Sequence, residues 1–170
     1  MNFLTKMSIA QKLFMIPIIG TVGFLIYLGI TTATALKNVD LLENVIEVQY
    51  PALDVTKSAL VKMEKVKETL TSAVTTADEE TLENAQNYAK EPQALLQNIK
   101  SIDPKLSTEI NGILDSFNDY YNLAFSVSKS MIDGTADYAK LGELSSTMNN
   151  NYDDAVKNLT NFKDVRTKAF

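Results

Sequence analysis

The chain has 170 residues, of which 45% are hydrophobic and 22% are charged, and its formal net charge at pH 7 is −5. It contains no cysteine, histidine or tryptophan, which excludes disulfides, thiolate nucleophiles, Cys/His zinc sites and histidine general bases. Six glycines and four prolines leave few points at which a helix would break, so the composition favours long helices over many strands.

The first predicted element is the uncharged apolar segment between Lys12 and Lys37. As a helix, residues 13–36 would span roughly 36 Å, slightly more than the ~30 Å hydrocarbon core of a bilayer. We therefore predict a transmembrane helix over 13–36, a cytoplasmic segment over 1–12 and an outer domain over 38–170. Lys6 and Lys12 precede the apolar segment and every acidic residue follows it, which places the N-terminus inside.

A cleaved signal peptide is the competing interpretation of this segment. Ala33-Thr34-Ala35 has the small-x-small form of a cleavage site, and cleavage there would release a soluble outer domain. The apolar segment is about twice as long as the usual signal core of about 7–15 residues. This length favours the uncleaved anchor.

The next predicted element is a long helix that runs to about Ala77, with apolar residues every seven positions. Such heptads are typical of helices packed in bundles or coiled coils. Small alanines would admit a close second helix, and buried polar residues would fix its register. We expect the seam of a dimer along this helix, at Gln49, Ala52, Thr56, Ala59, Met63 and Val66. Pro51 is interpreted as a tolerated bend.

Three further helices follow, each with a start or stop signal. Asp78 and the acids after it predict a helix start, and Pro92 inside this helix is expected to kink or split it. Asp103-Pro104 predicts the next start, and Asp133-Gly134 the end of that helix. The last helix is expected from about Ala136, with the apolar column Leu141, Met148, Ala155, Phe162 and Ala169.

Together these elements predict an all-α fold, in which the transmembrane helix is continuous with an up-down-up-down antiparallel four-helix bundle. The apolar period of the fourth helix persists to Phe170, so we expect the chain to be part of a longer protein. The outer part is acidic, which argues against binding to nucleic acid.

Candidate ligand-binding residues are a lysine that interrupts an apolar column, tyrosines whose rings carry a polar end, and an asparagine in a run of three poor helix formers. They are Lys67, Tyr120, Tyr121, Tyr138, Asn149 and Tyr152. The competing structural interpretation is a lysine at the edge of an apolar stripe, tyrosines that pack in the core with the hydroxyl at its rim, and a solvated asparagine. The carboxylates are spaced as on a solvated helix surface, so we expect no enzyme activity, no metal site and no cofactor.

Two stretches carry a resemblance to a known family. SIAQKLFMIPIIGTVGFLIYLG resembles the first membrane segment of bacterial methyl-accepting chemotaxis proteins, and YPALDVTKSALVKMEKVKETLTSAVTTADEETLENA is similar to the first helix and distal turn of their sensor bundles. NLTNFKDVRTKAF looks like the descending fourth helix. The same bundle also precedes histidine kinases and cyclic-nucleotide enzymes, and a membrane-anchored helical scaffold without a ligand is a further alternative.

The resemblance implies a homodimeric receptor in the bacterial inner membrane with a periplasmic sensor domain. Its input would be a small molecule, bound directly or through a periplasmic binding protein. Its output would reach a cytoplasmic coupling protein and kinase through a C-terminal part beyond residue 170. One departure is clear: amino-acid receptors of this architecture hold the ligand carboxylate with several arginines, whereas this chain has only Arg166, far from the distal turn.

Overall fold

The computed structural model describes residues 8–168, apart from the side chains of residues 10–12. This described part is almost entirely helical and contains no strand, as the all-α prediction requires. A π-helical segment, Val45–Gln49, and a 3₁₀ turn, Pro104–Leu106, interrupt the α-helices. The α-helices are α1 Ile9–Asn44, α2 Tyr50–Thr76, α3 Glu79–Ile102, α4 Ser107–Ile132 and α5 Leu141–Thr167.

The chain divides into two compact units after Asn44. The first unit consists of α1, whose apolar side chains are exposed along its length. The helical stretch Leu13–Thr76 includes an 18-residue window with a mean hydropathy of 2.3, none of it buried. By length and composition alone, the helix that contains this window is able to cross a membrane. Residues 1–7 of the predicted cytoplasmic segment lie outside the described residues.

The second unit contains four helices packed together. Helix α2 packs against α3, α4 and α5, and α4 also packs against α3 and α5. The apolar heptad column predicted for α2 lies in the core: Ala52, Ala59, Val66 and Ala73 have no exposed surface. The largest fully buried side chains are Phe117 of α4 and Phe162 of α5.

The predicted helix boundaries between α2, α3 and α4 are confirmed. Ala77, the residue that caps the C-terminus of α2, adopts the left-handed conformation (φ 50°). Asp78 then caps α3 by accepting a hydrogen bond from the backbone N–H of Glu80 at 3.0 Å. Asp103 accepts from the N–H of Lys105 at 2.9 Å. Both aspartates satisfy backbone donors that the first turn of a helix leaves without partners.

Pro92 and Pro51 have different consequences for their helices. Helix α3 runs through Pro92 without interruption, so of the predicted kink or split the split does not occur; the Pro92 side chain is fully buried in the core. Pro51 has no N–H to donate to the carbonyl of Glu47, and the wider π-helical turn directly precedes it.

Helix α5 begins at Leu141, five residues later than predicted. The side chain of Asp137 accepts a hydrogen bond from the N–H of Ala139 at 3.1 Å, and its carbonyl accepts from the N–H of Lys140 at 3.0 Å. This local turn competes with helix formation, because short polar side chains offer the backbone an alternative partner. Ala169 of the predicted column lies outside the described residues.

The dimer seam predicted along α2 needs correction. Ala52, Thr56, Ala59, Met63 and Val66 each have no exposed surface within a single chain, and only Gln49 of the predicted set is half-buried. The hydroxyl of Thr56 donates to the carbonyl of Ala52 in its own helix at 2.6 Å. The other helices of the same chain cover this face of α2, so a second chain has no access to it.

Candidate functional site

A cavity of about 240 Å³ lies between α2, α4 and α5. Its wall comes from the last three turns of α2, the second half of α4 and the third turn of α5. The lining residues are Lys67, Leu70, Thr71, Val74 and Thr75 of α2, Tyr120, Ala124, Val127, Ser128 and Met131 of α4, and Met148 and Asn149 of α5.

The cavity exists because α4 changes from large to small side chains along its buried face. Phe117 and Tyr120 fill the interior of the bundle, with ring centroids 6.3 Å apart. Ala124 and Ser128, one and two turns further on, are also buried but leave space beside them. A larger residue at either position would fill that space, since protein interiors are otherwise packed as densely as organic crystals.

A cluster of polar side chains adjoins one end of the cavity. The Nζ atom of Lys67 lies 4.3 Å from the centre of the Tyr152 ring. The Tyr152 hydroxyl donates a hydrogen bond to the carboxylate of Glu64, and its ring meets Tyr120 edge-to-face with centroids 4.9 Å apart. Among the described residues, Lys67 forms no salt bridge. The cluster thus presents an ammonium group without a carboxylate partner beside an apolar cavity.

Burial holds both tyrosines of this cluster in the neutral form. It raises the pKa of Tyr120, and the nearby negative charge of Glu64 raises it further. Burial also raises the pKa of Tyr152, to which the hydrogen bond with Glu64 adds. A phenol is protonated at neutral pH even at its ordinary pKa, and these raised pKa values keep both phenols protonated in mildly alkaline solution as well; Tyr152 acts as a donor towards Glu64.

The structure brings together four of the six predicted ligand-binding residues. Lys67, Tyr120 and Asn149 line the cavity, and Tyr152 contacts the first two. Tyr121 is half-buried and packs against Phe125, with ring centroids 5.7 Å apart. Tyr138 is 72% exposed in the turn before α5. Neither of these two tyrosines lines the cavity.

Sequence reasoning missed the apolar part of the site and three of its polar residues, Thr71, Thr75 and Ser128. Met131, Met148 and Ser128 line the cavity, whereas the periodicity marks the two methionines only as core residues. A usable signal was present in α4, where the buried column passes from Phe117 through Tyr120 to Ala124 and Ser128. Such a fall in side-chain volume predicts a void unless a facing helix supplies larger residues.

Arg166, the only arginine of the chain, lies elsewhere in the second unit. Its guanidinium contacts the carboxylate of Glu109 at 3.1 Å and stacks over the Phe162 ring at 3.8 Å. The side chain is buried, and its Nε atom has no hydrogen-bond partner in the described structure. Along α4, Glu109 precedes Ala124 by about four turns, so this ion pair is separate from the cavity.

The described residues include no group of three acidic, cysteine or histidine side chains able to hold a metal ion. Comparisons of the chain with models of known protein families, with curated proteins and with solved structures found no match.

Proposed function

We propose that this chain is the membrane-anchored sensory part of a receptor of the chemotaxis type. A small molecule binds in the cavity between α2, α4 and α5 and alters how these helices pack. The observation that carries the proposal is the cavity itself, which adjoins a lysine without an ion-pair partner. Ligand sites of helical bundles are commonly built from side chains on facing helices in this way.

The proposal includes an up-down-up-down arrangement of α2 to α5. Contacts between neighbouring helices support it: as the residue number rises along one helix, the number of its contact partner on the next helix falls, as in antiparallel packing. Lys62 pairs with Glu91 at 2.5 Å, and Lys65 lies over the Tyr88 ring at 3.7 Å. Between α3 and α4 the hydrogen-bonded pairs are Gln93–Asn118 and Lys100–Asn111.

The proposal also places α1 in a bacterial inner membrane, with the N-terminus in the cytoplasm and the second unit in the periplasm. The exposed apolar side chains of α1 support it, because a solvated helix of this composition would leave a large apolar surface in water. The receptor would act as a homodimer whose seam lies outside the core of α2, and a periplasmic binding protein is an alternative input.

Ligand binding would act by shifting a population between two packing arrangements. A ligand changes such an equilibrium only as far as its affinity for the two arrangements differs. Because the cavity wall comes from three helices, a displacement of about 1–2 Å of α5 against α2 and α4 would change its shape. A kinase-coupled part beyond residue 170 would read this displacement.

Membrane topology is testable by labelling, because the chain has no native cysteine. Asn38→Cys should react with a membrane-impermeant maleimide in intact spheroplasts, whereas Ser8→Cys should react only after lysis. A shortened product in the soluble periplasmic fraction would instead support signal-peptide cleavage and contradict the anchor.

Sensing is testable with the full chain in nanodiscs by thermal shift against a broad panel of neutral, anionic and cationic metabolites. At least one compound should stabilise the native chain but not Ala124→Leu, which fills the cavity. Ser128→Val is a milder second variant in case Ala124→Leu does not fold. If every compound in the panel shifts the unfolding temperature of the native chain and of the filled variants equally, the sensory proposal is wrong.

A further inference from the structure

We propose that the cavity takes a small monocarboxylate with a compact, uncharged apolar body, such as an aromatic or branched aliphatic acid. The carboxylate would face Lys67, and the body would lie among the apolar side chains of α2, α4 and α5. This inference rests on the proposed function, because it names the ligand class of the same cavity.

Charge is the first argument. Among the residues that the structure describes, Lys67 is the only charged one that lines the cavity, and no aspartate or glutamate lines it. Glu64, on the same helix as Lys67, accepts the hydrogen bond from Tyr152. Glu64 and Glu68 line an adjoining groove that shares Lys67, Thr71 and Thr75 with the cavity, and neither forms an ion pair with Lys67. A ligand carboxylate would supply the counter-charge that the wall lacks.

Size and polarity are the second argument. An apolar cavity of about 150 Å³ is large enough for benzene, so the cavity of about 240 Å³ has room for a ring with one carboxylate attached. Much of its wall is apolar, and along α2 the apolar residues Leu70 and Val74 follow Lys67 by one and two turns, with Val127 and Met131 contributed by α4. A ligand with one charged end and one apolar end matches this division.

The same wall disfavours ligands that carry an ammonium group. A cation or a zwitterion needs acceptors, and no carboxylate lines the cavity. Thr71 and Thr75 donate their hydroxyl protons to the carbonyls of Lys67 and Thr71, at 2.9 and 2.8 Å, so towards a ligand their neutral oxygens can only accept. An ammonium would find these neutral acceptors but no carboxylate, and it would share the cavity with the positive charge of Lys67, whereas a carboxylate meets Lys67 and the side-chain amide of Asn149.

The test uses the full chain in nanodiscs and isothermal titration with three ligands of one shape: benzoate, benzamide and benzylammonium. We expect benzoate to bind most tightly, and Lys67→Met to weaken it by about 10- to 100-fold, since hydrogen bonds to charged groups are the stronger ones. Lys67→Arg should retain most of the affinity. Lys57→Met, a matched loss of charge at an exposed position of α2, should change nothing.

The outcomes separate this inference from the proposed function. If benzamide or benzylammonium binds as tightly as benzoate, or if Lys67→Met leaves the benzoate affinity unchanged, the ligand class is wrong. The ligand class is equally wrong if benzoate fails to bind while neutral or cationic compounds stabilise the native chain but not Ala124→Leu; the cavity then remains a sensory site. Failure of every compound overturns both.

Discussion

The hydroxyl of Tyr152 on α5 donates a hydrogen bond to the carboxylate of Glu64 on α2. The two bonded residues are 88 positions apart in sequence, and their contact joins α5 to α2 next to the cavity. Tyr152 is buried, whereas Glu64 is exposed, so the bond lies at the rim of the core.

Removal of this hydroxyl should lower the stability of the second unit. We expect Tyr152→Phe to reduce the free energy of unfolding by about 1 kcal/mol, because the ring packing stays and one hydrogen bond to a charged acceptor is lost. Thermal unfolding of the full chain in nanodiscs, followed by circular dichroism, measures the change. Tyr138→Phe removes an exposed hydroxyl and serves as the control. Equal stability of the two variants would contradict the role of the contact.

Stability should fall in strongly alkaline solution. The pKa values of Tyr120 and Tyr152 are raised above 10.0, the ordinary value for tyrosine, chiefly by burial. The unfolded chain therefore loses these protons at lower pH than the folded chain does. Their contribution to stability is complete below pH 10 and decreases as pH rises above it. Midpoints of thermal unfolding at a series of pH values from 8 to about 11 should show this decrease, and Tyr152→Phe should make it shallower.

A buried threonine should be replaceable by valine without loss of stability. The Thr56 hydroxyl is fully buried and bonds only to the carbonyl of Ala52 in its own helix. Valine keeps the shape and removes the buried polar group, so we expect Thr56→Val to be neutral or stabilising by up to about 1 kcal/mol. Its oligomeric state, measured by light scattering, should equal that of the native chain. A change in oligomeric state would indicate that Thr56 lies in a dimer seam after all.

Loss of the central aromatic residue should be severe. Phe117 has no exposed surface and packs near Tyr120. We expect Phe117→Ala to cost about 3–5 kcal/mol, from lost burial and the cavity left behind. Val61→Ala, at a position 68% exposed, should stay within about 0.5 kcal/mol. Urea unfolding of both variants provides the comparison, and a small loss for Phe117→Ala would mean that α4 is not central to the core.

The ion pair between Arg166 and Glu109 should stabilise α4 against α5. Arg166 is buried and also covers the Phe162 ring, whereas the Glu109 side chain is 47% exposed. We expect Arg166→Ala to cost about 1–3 kcal/mol, since it removes packing as well as charge. Glu109→Gln keeps an acceptor and should cost less. If both variants unfold at the native midpoint, the contact contributes no stability.

Much of the fold was predictable because its signals are local. Asp78 and Asp103 cap helices as their sequence positions indicate, and the seven-residue column on α2 faces the core. The start of α5 was not predictable from periodicity, because the turn made by Asp137 replaces helical hydrogen bonds before Leu141. The sequence left a kink or a split open at Pro92, because a proline tolerated within a packed helix has the same sequence signal as one that splits it; the helix is not split.

The candidate site was predictable only in part. Lys67 interrupts an apolar column and Asn149 lies in a run of poor helix formers, so both stand out, whereas the cavity beside Ala124 and Ser128 depends on which helices face each other. The same limit explains the error about the dimer seam. A heptad column shows that a helix has an apolar face, but Ala59 in such a column is buried equally well by the same chain or by a second one.

The threonines at the end of α2 weaken the helix next to the cavity. Thr69, Thr71, Thr75 and Thr76 each bond back to the carbonyl four residues earlier, a pattern that weakens and bends helices. β-Branched residues also have low helix propensity, and Ala77 ends the helix just beyond them. Opening of the last turn beyond the buried Ala73 would expose the cavity wall at Thr75, so amide hydrogens there should exchange faster than those near Ala59.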